Sequence, residues 1–586
     1  MKVIYSLEKI PIALIISIVF YGITNSICGS KAIALETLEN IQSYPLVDNS
    51  AILSSEPIQL AQINRPTPIP QPELDLNSED VQKVEIKTIS VVGDTILTRA
   101  QIDKIIQPLI GKTVAVAELK LAIDELTQIY LERGYITSRA LLVDESIETG
   151  NIQVQIIEGS VSRVEVQGTE RLEKYVRDRV NLATQTPLSS AKLEDQLRLL
   201  RLNPLFDNIE ASLTAGENPE IGKSVVRVRV TEADRSNARV SIDNYSPPSV
   251  GSERLGFNYS YRSLIHPGDR LLTRYYPRIQ AFSNTYDLGV EYQIPVNAKN
   301  GTVTAAFDLN RNEVIDPIGD DFDDLDIEGE SEKYSLNFRQ AIVRDPRQEL
   351  ALSAAFDYQD GQTLLFQEGT PFGLGADEDG NTTTSVFRFG QEYIKREVSG
   401  AWAFRSQFNL GANILAATEN NEPVPDSQFF SWFGQAQRVQ VLNNNNFLVI
   451  QADVQLAANS LLPSQQFVIG GGQSVRGYRQ NARSGDNGVV FSIENRLTLL
   501  KNNAGEASLT FTPFFNLGAV WNNDDNPNEL PDKTFLTALG VGFIWKPIEG
   551  LNLKVDYAPP LVNLDNEGSD IQNNGLHFSL DYAFSL

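Results

Sequence analysis

In 586 residues there are two histidines, His266 and His577, one cysteine, Cys28, and one methionine, the initiator. A zinc site or a Cys/His nucleophile pair needs several such side chains to converge, so metal, thiol and imidazole chemistry lack their residues; no metal, no cofactor and no enzymatic activity is expected. Gly111-Lys112-Thr113 has the ending of a phosphate-binding loop, but Ile106 stands where the first glycine belongs. It reads as a turn between two helices, with no nucleotide implied. The acidic runs at Asp320, Asp321, Asp323, Asp324, Asp326 and Glu328, and at Asp377-Glu378-Asp379-Gly380, lack the twelve-residue spacing and closing glutamate of a calcium loop and read as solvated loops. The net charge of −26 excludes a nucleic-acid binder, because phosphates need clustered cations rather than a repelling field.

One polar group stands apart. Gly470-Gly471-Gly472-Gln473-Ser474-Val475-Arg476-Gly477-Tyr478 lies between an apolar strand ending at Ile469 and a strand beginning at Gly488. Its glycines permit tight backbone packing, and an arginine flanked by Val475 and Tyr478 suits a segment tucked into a polar lumen and paired with an inward-facing acid. A buried arginine left unpaired costs several kcal/mol, whereas a charge-assisted hydrogen bond contributes roughly 1.5–3 kcal/mol. By pleat parity Glu494 and Asp556 face inward, and either suits as its partner.

The elements that would position this loop are strands. Leu255, Phe257, Tyr259 and Tyr261 alternate with polar or small residues, as do Leu350 to Tyr358, Trp402 to Leu410, Leu448 to Leu456, Leu539 to Trp545 and Leu576 to the final Leu586. A soluble sandwich shows the same period of two. Here, however, one set is polar or charged (Lys554, Asp556, Glu494, Arg496) and the other is rich in Tyr, Phe and Trp, the pattern of a transmembrane β-barrel with a hydrated lumen and aromatic girdles. No later stretch is apolar enough for a helical span, and the mean hydropathy of −0.20 is typical of such barrels. At about 10 residues per strand, residues 237–586 accommodate about 16 antiparallel strands.

The preceding residues differ. Residues 1–34 read as a signal peptide, with Lys2 and Lys9, the apolar run Ile10 to Ile23, and Ala32-Ile33-Ala34 as cleavage site. Residues 35–80 read as a Pro-rich linker. Residues 81–159 carry a strand at Val84 to Val92, a capping box at Thr98 and Gln101, a helix with Leu119, Ile123, Leu126 and Tyr130 on one face, and two further strands. Residues 160–236 repeat the order, with Gly93 and Gly168 75 residues apart. The expectation is two α+β domains in tandem.

Taken together, the chain resembles the haemolysin secretion and activation proteins, the outer-membrane transporters of two-partner secretion, whose superfamily includes the barrel-assembly proteins. Val475-Arg476-Gly477-Tyr478 matches the superfamily's loop-six tetrapeptide, while Gly134, Tyr135 and Ile136, with Ile157-Glu158-Gly159, match the first polypeptide-transport-associated (POTRA) domain. The resemblance implies two periplasmic POTRA domains that capture an unfolded exoprotein by β-augmentation. It also implies a monomeric barrel in outer-membrane lipid, and an N-terminal plug helix for which Leu35 to Tyr44 is the candidate. The family pairs its loop arginine with an aspartate, but Phe514-Phe515-Asn516-Leu517-Gly518 supplies Asn516, which accepts a hydrogen bond without charge. An insertase for other barrels is the alternative; such chains usually carry three or more POTRA domains.

Overall fold

The computed structural model describes residues 83–215, 221–315, 326–564 and 570–586, so the signal, linker and plug segments lie outside the described residues, as do Asp320, Asp321, Asp323 and Asp324. Two α+β units built on one plan come first. The first contains β1 (Lys83–Glu85), β2 (Thr88–Val92), α1 (Arg99–Ile106), β3 (Thr113–Ala115), α2 (Val116–Glu132), β4 (Arg139–Leu142) and β5 (Asn151–Ile157). The second contains β6 (Ser160–Gln167), α3 (Glu173–Val180), α4 (Ser190–Arg201), β7 (Phe206–Ala215) and β8 (Lys223–Glu232). Sheet orders β2-β5-β4 and β6-β8-β7 match, each with its first strand parallel to its last. A parallel neighbour requires a crossover, which the two helices of each unit supply. Their apolar stripes, Leu119, Ile123, Leu126 and Tyr130 in α2 and Leu193, Leu197 and Leu200 in α4, fill the two cores.

Two local expectations are corrected. The strand expected over Val84 to Val92 breaks at Ile86-Lys87, because β1 pairs with β3 while β2 pairs with β5. Gly111-Lys112-Thr113 is accordingly not only a turn: Gly111 N–H donates to Ile86 O, and Thr113 opens β3.

The buried Tyr130 ties the first unit together. Its hydroxyl lies 2.7 Å from Asp94 Oδ1 and 2.8 Å from Glu158 Oε1. Asp94 also accepts from the Leu97 N–H, and Glu158 from the Thr95 N–H, so one hydroxyl joins the Gly93 turn to the end of β5. Burial, then these two carboxylates, push the tyrosine well above its ordinary pKa and hold its proton in place. Tyr130→Phe is expected to destabilise this unit by about 1–3 kcal/mol, read as roughly tenfold or greater loss of hydrogen-exchange protection in α2; unchanged protection would contradict it.

Gly134, Tyr135 and Ile136 form the joint between the units. Gly134, at φ +83°, ends α2, and its carbonyl accepts from the Ser190 N–H at the start of α4. Tyr135 packs edge-on against Tyr130, and Ile136 packs against the core of the second unit.

The remaining chain closes on itself. Among the described residues sixteen strands form the ring: Ser236–Asp243, Arg254–Arg262, Arg270–Pro277, Tyr286–Pro295, Thr302–Glu313, Ile327–Arg344, Gln348–Leu365, Asn381–Glu397, Gly400–Gly411, Phe430–Asn443, Asn446–Ala457, Asn487–Lys501, Ala507–Trp521, Phe535–Trp545, Leu551–Tyr557 and Leu576–Ser585. The first pairs antiparallel with the last, from Asp243 opposite Ser579 to Asn237 opposite Ser585. Closure removes every sheet edge, which a β-structure in lipid requires. Trp402, Phe404, Phe408 and Leu410 face outward and exposed, while Gln407 and Asn409 on the same strand are buried toward the lumen. Inside, Asp357 pairs with Arg388 and Lys333, and Arg339 with Glu349 and Glu392.

The acidic run that reads as a solvated loop is partly strand. Glu328 stands opposite Leu364 in a ladder that runs from Ile327 opposite Leu365, because charged side chains leave the backbone hydrogen bonds of a strand intact. The apolar segment ending at Ile469 is not a wall strand. Phe467–Ile469 pairs with Arg483–Gly485 as a hairpin within the long loop 458–486.

Candidate functional site

Loop 458–486 leaves the wall after Ala457 and rejoins it at Asn487. Its hairpin packs against the inner wall, where Phe467, Ile469, Val475, Tyr478 and Ala482 share an apolar cluster with Val490, Phe514, Val520, Leu536, Ala538 and Ala558. Gly477 has φ +102°, and a Cβ there would lie 2.8 Å from Ala558 O and 2.9 Å from Ala538 Cβ. Only glycine lets the chain lie this close to the wall. The wall is correspondingly small: Ala538, Gly540 and Gly542 form one inward row, and Gly542 leaves the space that the Asp556 carboxylate occupies.

Arg476 is 5% exposed. Its Nε donates to Asn516 Oδ1 at 2.9 Å, and its Nη1 lies 2.5 Å from Glu494 Oε2 and 3.5 Å from Asp556 Oδ2. Its guanidinium carbon sits 3.4 Å from the centre of the Phe514 ring. The three candidate partners therefore converge on one side chain. Each carboxylate has a second cation, Arg496 at 2.6 Å from Glu494 and Lys554 at 2.9 Å from Asp556. The cluster thus joins three cations to two carboxylates, with Asn516 as a neutral acceptor whose own amide donates to Ser492 Oγ at 2.6 Å. Removing one member of such a buried group leaves its partners' charges uncompensated and is far costlier than the net worth of the pair.

Tyr478 holds the loop from the other side. Its hydroxyl donates to Thr537 O at 2.8 Å and accepts from the Val562 N–H at 3.0 Å. Val475 packs against Gly518, where a Cβ would meet its Cγ2 at 2.8 Å.

Pleat parity places Arg496 and Lys554 inside, but nothing in the sequence makes them part of the cluster or marks Phe514 as the stacking face. The available signal was the alternation of Ala538, Gly540 and Gly542, small residues on an inward row where a docked loop needs room. His577, buried and directly opposite Asp556 in the ladder, lies beside the cluster.

A docked loop latched by an arginine inside a closed barrel, preceded by two α+β units, invites comparison with known proteins. The chain is 22% identical over 504 residues to the heme/hemopexin transporter protein HuxB of Haemophilus influenzae strain 86-028NP, covering 84% of this chain and 85% of that protein. It is 21% identical over 428 residues to the outer membrane transporter CdiB of Escherichia coli, covering 72% and 70%. The solved structure of CdiB from Escherichia coli shares the fold, with a TM-score of 0.67 at 19% identity over 88% of this chain and 93% of that one. BamA from Haemophilus ducreyi, lacking POTRA domains 1–3, follows with a TM-score of 0.52 at 13% identity over 85% of this chain and 100% of that one. The ShlB-type POTRA model matches residues 84–159. With residues 222–544 matching the model for haemolysin secretion/activation protein ShlB/FhaC/HecB, the chain belongs to that family of outer-membrane transporters.

Proposed function

We propose that this transporter exports one unfolded exoprotein, captured by its POTRA units along the free edge of β6 and passed through the barrel without nucleotide hydrolysis in this chain. The observation that carries the reading is the state of that edge. Among the described residues β6 pairs with β8 on one side only, and its other side opens onto a groove lined by Val164, Val166, Glu173, Arg177 and Asn181. Arg177 reaches across the groove to Val164 O at 3.4 Å. An extended polypeptide adds main-chain hydrogen bonds to such an edge and rests alternate side chains in the groove, which suits capture that is sequence-tolerant. The names of two relatives, a heme/hemopexin transporter and a hemolysin transporter, support a secreted protein as cargo.

The test is site-specific crosslinking in cells exporting the partner. A cysteine at the exposed Ser162 of β6 is expected to crosslink the exoprotein in transit, whereas one at the exposed Asp207 of β7, on the opposite sheet edge, is not. Crosslinks only at β7 would overturn the proposed edge. Accumulation of unassembled outer-membrane proteins on depletion, with exoprotein export unchanged, would favour the insertase.

A further inference from the structure

The closure of the barrel and the docking of loop 458–486 meet in one side chain. Gln572 is fully buried in the turn 571–574, just before the last strand. Its Oε1 accepts from the Gln480 N–H at 2.7 Å, two residues beyond Tyr478. Its Nε2 donates to Asn244 O at 2.9 Å and to Ser246 O at 2.8 Å, in the loop that follows the first strand. One amide with one acceptor and two donors is thereby saturated by two separate loops.

Asn244, also fully buried, makes this possible. The ladder between the first and last strands ends at Asp243 opposite Ser579. Beyond it, Asn244 continues the ladder with its side chain: Oδ1 accepts from the Phe578 N–H at 2.8 Å, and Nδ2 donates to Leu576 O at 2.9 Å, while its own N–H donates to Phe578 O at 3.3 Å. The side-chain carbonyl takes the place of the main-chain one, which is left free for Gln572.

We propose that Gln572 is a positioning residue for Arg476: it fixes the loop tip at the outer end of the first-to-last strand seam, so that withdrawal of the loop and loosening of that seam occur together. The proposal rests on the reading that docking of Arg476 matters for export. A neutral amide suits the task, because its three hydrogen bonds can be exchanged for water more readily than the ion cluster around Arg476. Gln572→Leu keeps the bulk and removes all three bonds.

A reporter cysteine at the buried Ser474 reads loop position through its reaction with a membrane-impermeant maleimide on intact cells, in full-length protein lacking Cys28. Gln572→Leu is expected to raise the labelling rate roughly tenfold or more, the effect of losing about 1.4 kcal/mol or more of docking free energy, with heat-modifiable migration of the barrel retained. Unchanged labelling in Gln572→Leu, with Arg476→Ala labelled fast in the same assay, overturns the proposal and leaves the arginine reading standing. Fast labelling in Gln572→Leu with normal export by Arg476→Ala defeats the arginine reading and not the placement of the loop by Gln572. Loss of heat-modifiable migration in Gln572→Leu would also overturn it, since the residue would then hold the barrel rather than the loop.

Discussion

Arg476→Ala is expected to abolish export of the exoprotein while leaving a folded barrel in the outer membrane. Truncation leaves Glu494 and Asp556 buried, each with one cation instead of two, and removes the plane that rests on Phe514. Breaking a buried pair on one side costs about 3–5 kcal/mol, which shifts loop docking by roughly two to four powers of ten. The ring itself is closed by backbone ladders to which Arg476 does not contribute, so heat-modifiable migration should persist. Arg476→Lys retains the charge, but a single ammonium cannot serve Asn516, Glu494 and Asp556 from fixed directions or stack on Phe514, and partial export is expected. The measurement is exoprotein in the medium against barrel in the membrane fraction; normal export by the alanine variant would show that the docked loop is not needed.

The second large effect concerns the counter-charge. Glu494→Gln is expected to lower export tenfold or more, and to do so more severely than Asn516→Ala. Glu494 joins Arg476 to Arg496, so its neutralisation leaves Arg476, Arg496 and Lys554 facing Asp556 alone. Asn516→Ala removes one hydrogen bond to a charged group, worth about 1.5–3 kcal/mol, but no charge. Asn516→Asp brings three carboxylates to three cations; export at or above the starting level is expected, with partial rescue of Glu494→Gln in the double variant. A greater loss for Asn516→Ala than for Glu494→Gln would show that the neutral acceptor, not the glutamate, is the principal partner.

Much of this architecture could be read in the chain. The period of two from Leu255 to Leu586 indicated which residues face lipid and which the lumen, because a pleated strand allows no other arrangement once one face is apolar. The capping box at Thr98 and Gln101 and the stripe from Leu119 to Tyr130 placed helices in the first unit, since local bonds and a 3.6-residue repeat define them. Where contacts are non-local the reading failed. Val84 to Val92 looks like one strand, and only pairing with β3 and β5 divides it. Phe467 to Ile469 looks like wall because its apolarity carries no label for lipid or for a docked loop; its burial against Phe514 and Leu536 decides.

The sequence by itself determined the class of the protein: a membrane barrel preceded by two α+β units, poor in catalytic side chains, with one arginine in a glycine-rich loop and acids of the correct parity to receive it. Parity states the side of the wall but not the height along it, so the choice among Asn516, Glu494 and Asp556 stayed open. The tertiary structure resolved it by bringing all three to Arg476 from 40, 18 and 80 residues away. Gln572 was beyond reach for the same reason: its partners lie 92 and 328 residues distant, and only closure of the ring makes them neighbours.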